Sequence, residues 1–360
     1  MNEVIKKKLM DRNELLINMV IERVKRDFLD DIAIIGLTGS FNTGDFHEKS
    51  DLDLVIINKT DKGWGISDCF ILDDVGYDIY CTPWNTKIHE QSSLESPHVS
   101  SLTELKILYY ANPEDLEKFN DFRRKALDAL ANPIGEACLN RALKWIDLAK
   151  QAYSDAMLGE DIGAVRQASA DVLCNLVNAL ASMNNTCIKR GIKRYLQELR
   201  SFRYVPDDLD SLYMSIIEAR SIEEIRIASF SMLKSVARLH STMCDHFIVK
   251  PAPTFENLKG TYEELWSNYR NKVLNSVTNN DASYAFLSAS GAQEYLDYMA
   301  VENGSKKFDL MQYFDASDLQ VLHENFLKVM DEYLDEYDKV GREVKRFTTF
   351  EQLYAHYMDQ

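Results

Sequence analysis

Every stretch of this sequence that reads as a β-strand lies before residue 85, and everything after residue 100 has helical spacing. Short apolar runs at residues 32–37, 52–57, 69–72 and 77–81 read as strands, and Pro83 closes that region. A helix over residues 3–28 precedes them. Residues 101–110 open with Ser and Thr, which favour helix starts, and predict a helix. Further on, Leu139, Leu143 and Ile146 share one helical face, and Leu173, Leu176 and Leu180 share another. Leu319, Leu322, Phe326, Val329 and Tyr333 form one stripe at i, i+3, i+7, i+10 and i+14. Strands and helices segregated in this way predict an α+β protein with a small sheet module followed by an all-α region.

A chain of 360 residues exceeds what one hydrophobic core usually organises. The reading divides it into residues 1–115, a helical bundle over 116–250 and a further helical region over 251–360. The segment 249–254, with two prolines, serves as a linker. No apolar run approaches bilayer length, and the N-terminus alternates charged and apolar residues like an amphipathic helix rather than a leader. The expectation is a cytoplasmic protein without a membrane partner. Its six cysteines include no CxxC pair and read as reduced thiols.

The net charge of −16 argues against a nucleic-acid partner, because a phosphate backbone needs basic patches. The basic groupings at residues 6–8 and 189–194 fall on expected helices and read as solvated faces. An acidic surface suits a cationic small molecule through electrostatic steering. His240, Cys244 and His246 lie close enough along a helix to suggest zinc, but no fourth ligand with sensible spacing accompanies them. Trp84, Trp145 and Trp266 sit in apolar patterns and read as core.

Chemistry concentrates between residues 37 and 57. Asp51 and Asp53 are two apart, so an extended backbone projects both carboxylates from one face, roughly 6–7 Å apart at Cα. Leu52, Leu54 and Ile56 point the other way, into a core. Two like charges on one face call for a cation, and hard oxygen ligands suit Mg²⁺. Gly39-Ser40 follows a buried run. Backbone N–H groups at such a turn bind phosphate, and Gly39 lets the chain approach closely. The Ser40 hydroxyl adds a donor, and Gly44 permits the turn back towards Asp51.

The order Gly39-Ser40, Gly44, then Ser50-Asp51-Leu52-Asp53-Leu54 resembles the signature of the polymerase-β-like nucleotidyltransferase superfamily. The likeness covers about residues 30–85. It implies a small mixed-sheet, palm-like domain that uses Mg²⁺ to transfer a nucleoside monophosphate from an NTP, ATP being the commonest donor. It also implies a third carboxylate on a later strand. Asp78 is the best match, with Asp73 and Asp74 weaker because a turn is expected there. Asp51, Asp53 and Asp78 are then the catalytic and metal-binding set, and Gly39, Ser40 and Ser50 the nucleotide-binding set. Asp78 is the general-base candidate, with Glu104 a second. Thr43 stands where many small bacterial members have an arginine. A sheet domain followed by helices is also the layout of bacterial aminoglycoside nucleotidyltransferases. That likeness implies a small-molecule acceptor and a role in antibiotic resistance. Modification of a protein hydroxyl, and nucleotide binding without turnover, are the alternatives.

Overall fold

The structure is a computed structural model that describes residues 3–359. The chain forms two compact units, one running to Ile248 and the other from Val249 onward.

In the first unit, helix α1 (Glu3–Asp27) buries Leu9, Leu16, Val20 and Val24, a stripe with the period of an amphipathic helix. Strand β1 (Ile32–Leu37) is buried along its whole length, as its continuous apolar run requires. Helix α2 (Gly39–Thr43) follows, then β2 (Leu54–Asn58), the hairpin β3 (Asp68–Leu72) and β4 (Val75–Ile79), β5 (Cys81–Pro83) and β6 (Lys106–Tyr110). The main sheet has the order β5-β2-β1-β6. β1 pairs antiparallel with β2 and with β6, whereas β2 pairs parallel with β5, so the sheet is mixed. The β3–β4 hairpin is separate, and Asp73 and Asp74 turn it with φ of 53° and 57°. Two consecutive positive φ angles are what a two-residue hairpin loop needs, and Asp tolerates them better than most residues.

Two expectations are corrected here. Residues 101–110 are not one helix. Ser100–Thr103 makes a single helical turn, and residues 106–110 are strand β6 on the edge beside β1. Neither Ser nor Thr caps that turn, whose N-cap is Val99, and the Lys-Ile-Leu-Tyr-Tyr run pairs with β1 instead. Similarly, β2 begins at Leu54, so Asp51 and Asp53 lie on its extended lead-in rather than in the strand. The alternation survives: Ser50, Leu52 and Leu54 are buried while Asp51 and Asp53 are exposed.

The helices Glu136–Leu158, Ile162–Met183 and Ile222–Phe247 complete this unit around Leu139, Ile146, Leu176, Leu180, Met232 and Val236. Leu143, expected on the inner face, is 40% exposed. The chain leaves Met183 into a loop, residues 184–194, that carries the second basic grouping. Only Ile192–Arg194 of it is a single 3₁₀ turn, so this grouping is not a helix face. Asn185, with φ 45°, anchors the loop. Its amide donates to the carbonyls of Ala129, Leu130 and Asn132, and its oxygen accepts from Arg141 at 2.6 Å. The backbone N–H groups of Lys189 and Arg190 donate to Glu198 at 2.8 and 2.7 Å.

The second unit is helical. The stripe Leu319, Leu322, Phe326, Val329 and Tyr333 is buried within the helix Leu319–Lys339. Buried Tyr337 receives the Tyr262 N–H at 2.8 Å and donates to Glu263 at 3.0 Å. Among the described residues no helix is long and apolar enough to cross a membrane.

Candidate active site

One cleft of 760 Å³ in the first unit gathers Gly39, Ser40, Ser50, Asp51, Asp53 and Asp78. The Thr38 N–H donates to the Asp53 carbonyl at 3.0 Å, which ties the end of β1 to the lead-in of β2. This brings the Gly39-Ser40 turn against the Asp53 side chain. Gly39 has φ +67°, and a Cβ there would lie 1.8 Å from Asp53 Oδ2. The glycine is therefore required twice, for its backbone angle and for the space its carboxylate neighbour fills. Gly44, at φ 75°, ends α2 in the left-handed conformation.

The Asp53 carboxyl is pushed up to about 6. Loss of solvent against the turn is the main cause and the charge of Asp51 the next, opposed by a hydrogen bond from the Ser40 backbone. The residue opens onto the cleft, but its carboxylate is crowded against the Gly39-Ser40 turn and beside Asp51. Two adjacent hard-oxygen carboxylates of this kind fit Mg²⁺, which is held by one or two carboxylates and completed by substrate phosphates. Asp78 lines the same cleft, and its Oδ1 accepts from the Cys69 thiol at 3.1 Å across the hairpin. Among the described residues no three His, Cys, Asp or Glu side chains are assembled to hold a metal.

Ser50 is buried, and its hydroxyl accepts the His47 N–H at 2.9 Å, closing the loop ahead of Asp51. The Thr43 hydroxyl turns back on the carbonyls of Gly39 and Ser40. Glu104 is not on a helix and does not line the cleft. Its carboxylate is paired with Lys189 at 2.5 Å, and its carbonyl accepts from Asn42 at 2.8 Å.

Sequence reasoning missed the basic lining of the cleft. Lys189, Arg190 and Lys193 line the same cleft as the carboxylates, together with Lys49, Tyr80 and His98. Burial lowers the pKa of His98 and, with Lys87 nearby, favours a neutral ring. A signal for the basic wall was present: Gly191 interrupts the Lys-Arg…Lys-Arg run, and its φ of 67° belongs to a loop. The zinc suggestion finds no support. His240 Nε2 bonds the Leu139 carbonyl at 2.9 Å, and Cys244 lies beside the same ring.

Residues 17–119 match the family model described as nucleotidyltransferase domain. The N-terminal part of this chain is a nucleotidyltransferase domain. Its mixed sheet, turn and aspartates all fall within the matched range, and nucleotidyl transfer is the activity class that this domain brings to the protein. The chain is also similar to the nucleotidyltransferase-like protein from Exiguobacterium sibiricum 255-15, at 11% identity and a TM-score of 0.35. That similarity covers 92% of this chain and 95% of the other. No curated protein matches the chain.

Proposed function

We propose that the nucleotidyltransferase domain transfers a nucleoside monophosphate, AMP from ATP in the first instance, to a hydroxyl of a small molecule. The observation that carries this reading is one cleft lined both by the carboxylates and by the cationic loop. A triphosphate between them meets the Gly39-Ser40 turn and the side chains of Lys189, Arg190 and Lys193, which offset its charge. Asp51 and Asp53 are the residues that would hold Mg²⁺, which when bound screens the triphosphate and acidifies a nearby hydroxyl.

The acceptor oxygen attacks the α-phosphorus, the α–β phosphoanhydride bond breaks and pyrophosphate leaves. Asp78 takes the hydroxyl proton. Its Oδ1 is engaged by Cys69, so Oδ2 is the oxygen that receives it. The net charge of −16 supports a small acceptor over a nucleic acid. It does not extend to a polycation: apart from Asp51, Asp53 and Asp78 the cleft offers only Asp45, already bound by Lys193 and Arg194. A neutral polyol or sugar hydroxyl suits this lining better than an aminoglycoside.

The test is pyrophosphate release from purified protein with Mg²⁺ and each NTP, against neutral sugars, polyols and aminoglycosides. Release that depends on one NTP and one acceptor supports the proposal. Absence of release with every small acceptor, despite NTP binding, would favour a protein hydroxyl instead.

A further inference from the structure

Asp45 and Arg194 are 149 residues apart, yet the carboxylate accepts Arg194 Nε at 2.8 Å and Nη2 at 2.7 Å. Lys193 adds a bond from Nζ to the Asp45 backbone carbonyl at 2.8 Å. Both side chains of the Asp45–Arg194 pair are about a third exposed or less, at 27% and 36%. The pair joins the loop between α2 and β2 to the basic loop of the helical part. Its two cations differ in position. Arg194 spends its planar fork on Asp45 and does not line the cleft, whereas Lys193 lines it and keeps ammonium donors to spare.

Resting on nucleotidyl transfer as the reading of this cleft, we propose that Asp45 is a positioning residue. Clasped by Arg194, it sets the distance between the Gly39-Ser40 turn and Lys193, so that both reach one polyphosphate. Asp45 borders the cleft too, but both its carboxylate oxygens are taken up by Arg194. The clasp aligns the turn and the basic loop in advance, and binding then does not have to order them.

The sign of one substitution separates this from plain electrostatics. Asp45→Asn removes a negative charge from a cationic rim, so a merely competing carboxylate would leave polyphosphate bound more tightly. A clasp leaves it bound more weakly. The probe is inorganic tripolyphosphate with Mg²⁺, titrated calorimetrically into the full chain, which makes the result independent of base and acceptor. Asp45→Asn and Arg194→Gln are each expected to weaken binding by about fivefold to tenfold, with melting temperature and circular dichroism near those of the parent. The reversed pair, Asp45→Arg with Arg194→Asp, is expected to regain most of the loss. Unchanged or tighter binding in Asp45→Asn overturns the proposal, as does a reversed pair no better than its single variants. Failure of the parent chain to bind tripolyphosphate would instead overturn the reading of the cleft.

Discussion

Asp53 occupies the space that a side chain on Gly39 would need, its Oδ2 lying 1.8 Å from where a Cβ would stand. The turn and the carboxylate are thus one fitted unit. Gly39→Ala must push the turn away from Asp53 and also adopt a φ of +67°, which costs a side-chain-bearing residue about 1–2 kcal/mol. Turnover should fall about a hundredfold or more while the far-ultraviolet circular dichroism is retained. Activity within a few-fold of the parent would show that the turn does not need this fit.

Asp53 also predicts a dependence on pH. Its carboxyl, pushed up to about 6, binds a proton more readily in the folded chain than in the unfolded one. Its contribution to stability is therefore fully present below the unfolded value of about 4 and is lost as pH rises through about 6. Without divalent cations, Asp53→Asn should melt about 2–5 °C above the parent at pH 7.5, with the gap closing by pH 4. The same variant should have no measurable turnover. A lower melting temperature at pH 7.5 would contradict the crowding assigned to this carboxylate.

Lys193→Gln and Lys189→Gln should raise KM for the NTP by about fivefold to twentyfold and change kcat less. Both effects should shrink as ionic strength increases, because the contacts are charge-assisted. Steady-state kinetics at two salt concentrations checks this.

Asp78→Asn should lower kcat by about 10²–10⁴ with KM for the NTP near that of the parent, as expected for loss of a proton acceptor. Removing the thiol that steadies it, by Cys69→Ala, should cost only a few-fold. A large rise in KM for Asp78→Asn would assign that residue to nucleotide binding instead.

In the second unit, Tyr337→Phe strands the buried N–H of Tyr262, whose partner is the Tyr337 hydroxyl at 2.8 Å. An unsatisfied buried donor costs about 1–3 kcal/mol, so chemical denaturation should reveal a loss of that size.

Where local pattern decides structure, the sequence was legible. Buried β1, the stripe of the helix Leu319–Lys339 and the exposed-buried alternation around Asp51 and Asp53 all follow from spacing alone. Gly39, Ser40 and the three aspartates do share one cleft. What escaped depended on partners distant in the chain. Strand β6 owes its form to pairing with β1, a contact its own residues do not announce. The cationic wall owes its place to Asn185, which fastens the loop to the carbonyls of Ala129, Leu130 and Asn132. Glu104 pairs with Lys189 and stands outside the cleft lining, which its place after a single helical turn did not announce.

The carboxylates and the loop cations of the cleft come from parts of the chain that are synthesised far apart. Asp51 and Asp53 emerge early, whereas Lys189 and Lys193 follow the helix Ile162–Met183 and sit on the loop that Asn185 fastens to the Ala129 carbonyl. A nascent or truncated chain ending near residue 130 would carry every carboxylate and none of the loop's cations. On the proposed reading, polyphosphate affinity would be a property of the finished first unit, and its appearance during refolding would time the docking of the helices onto the sheet.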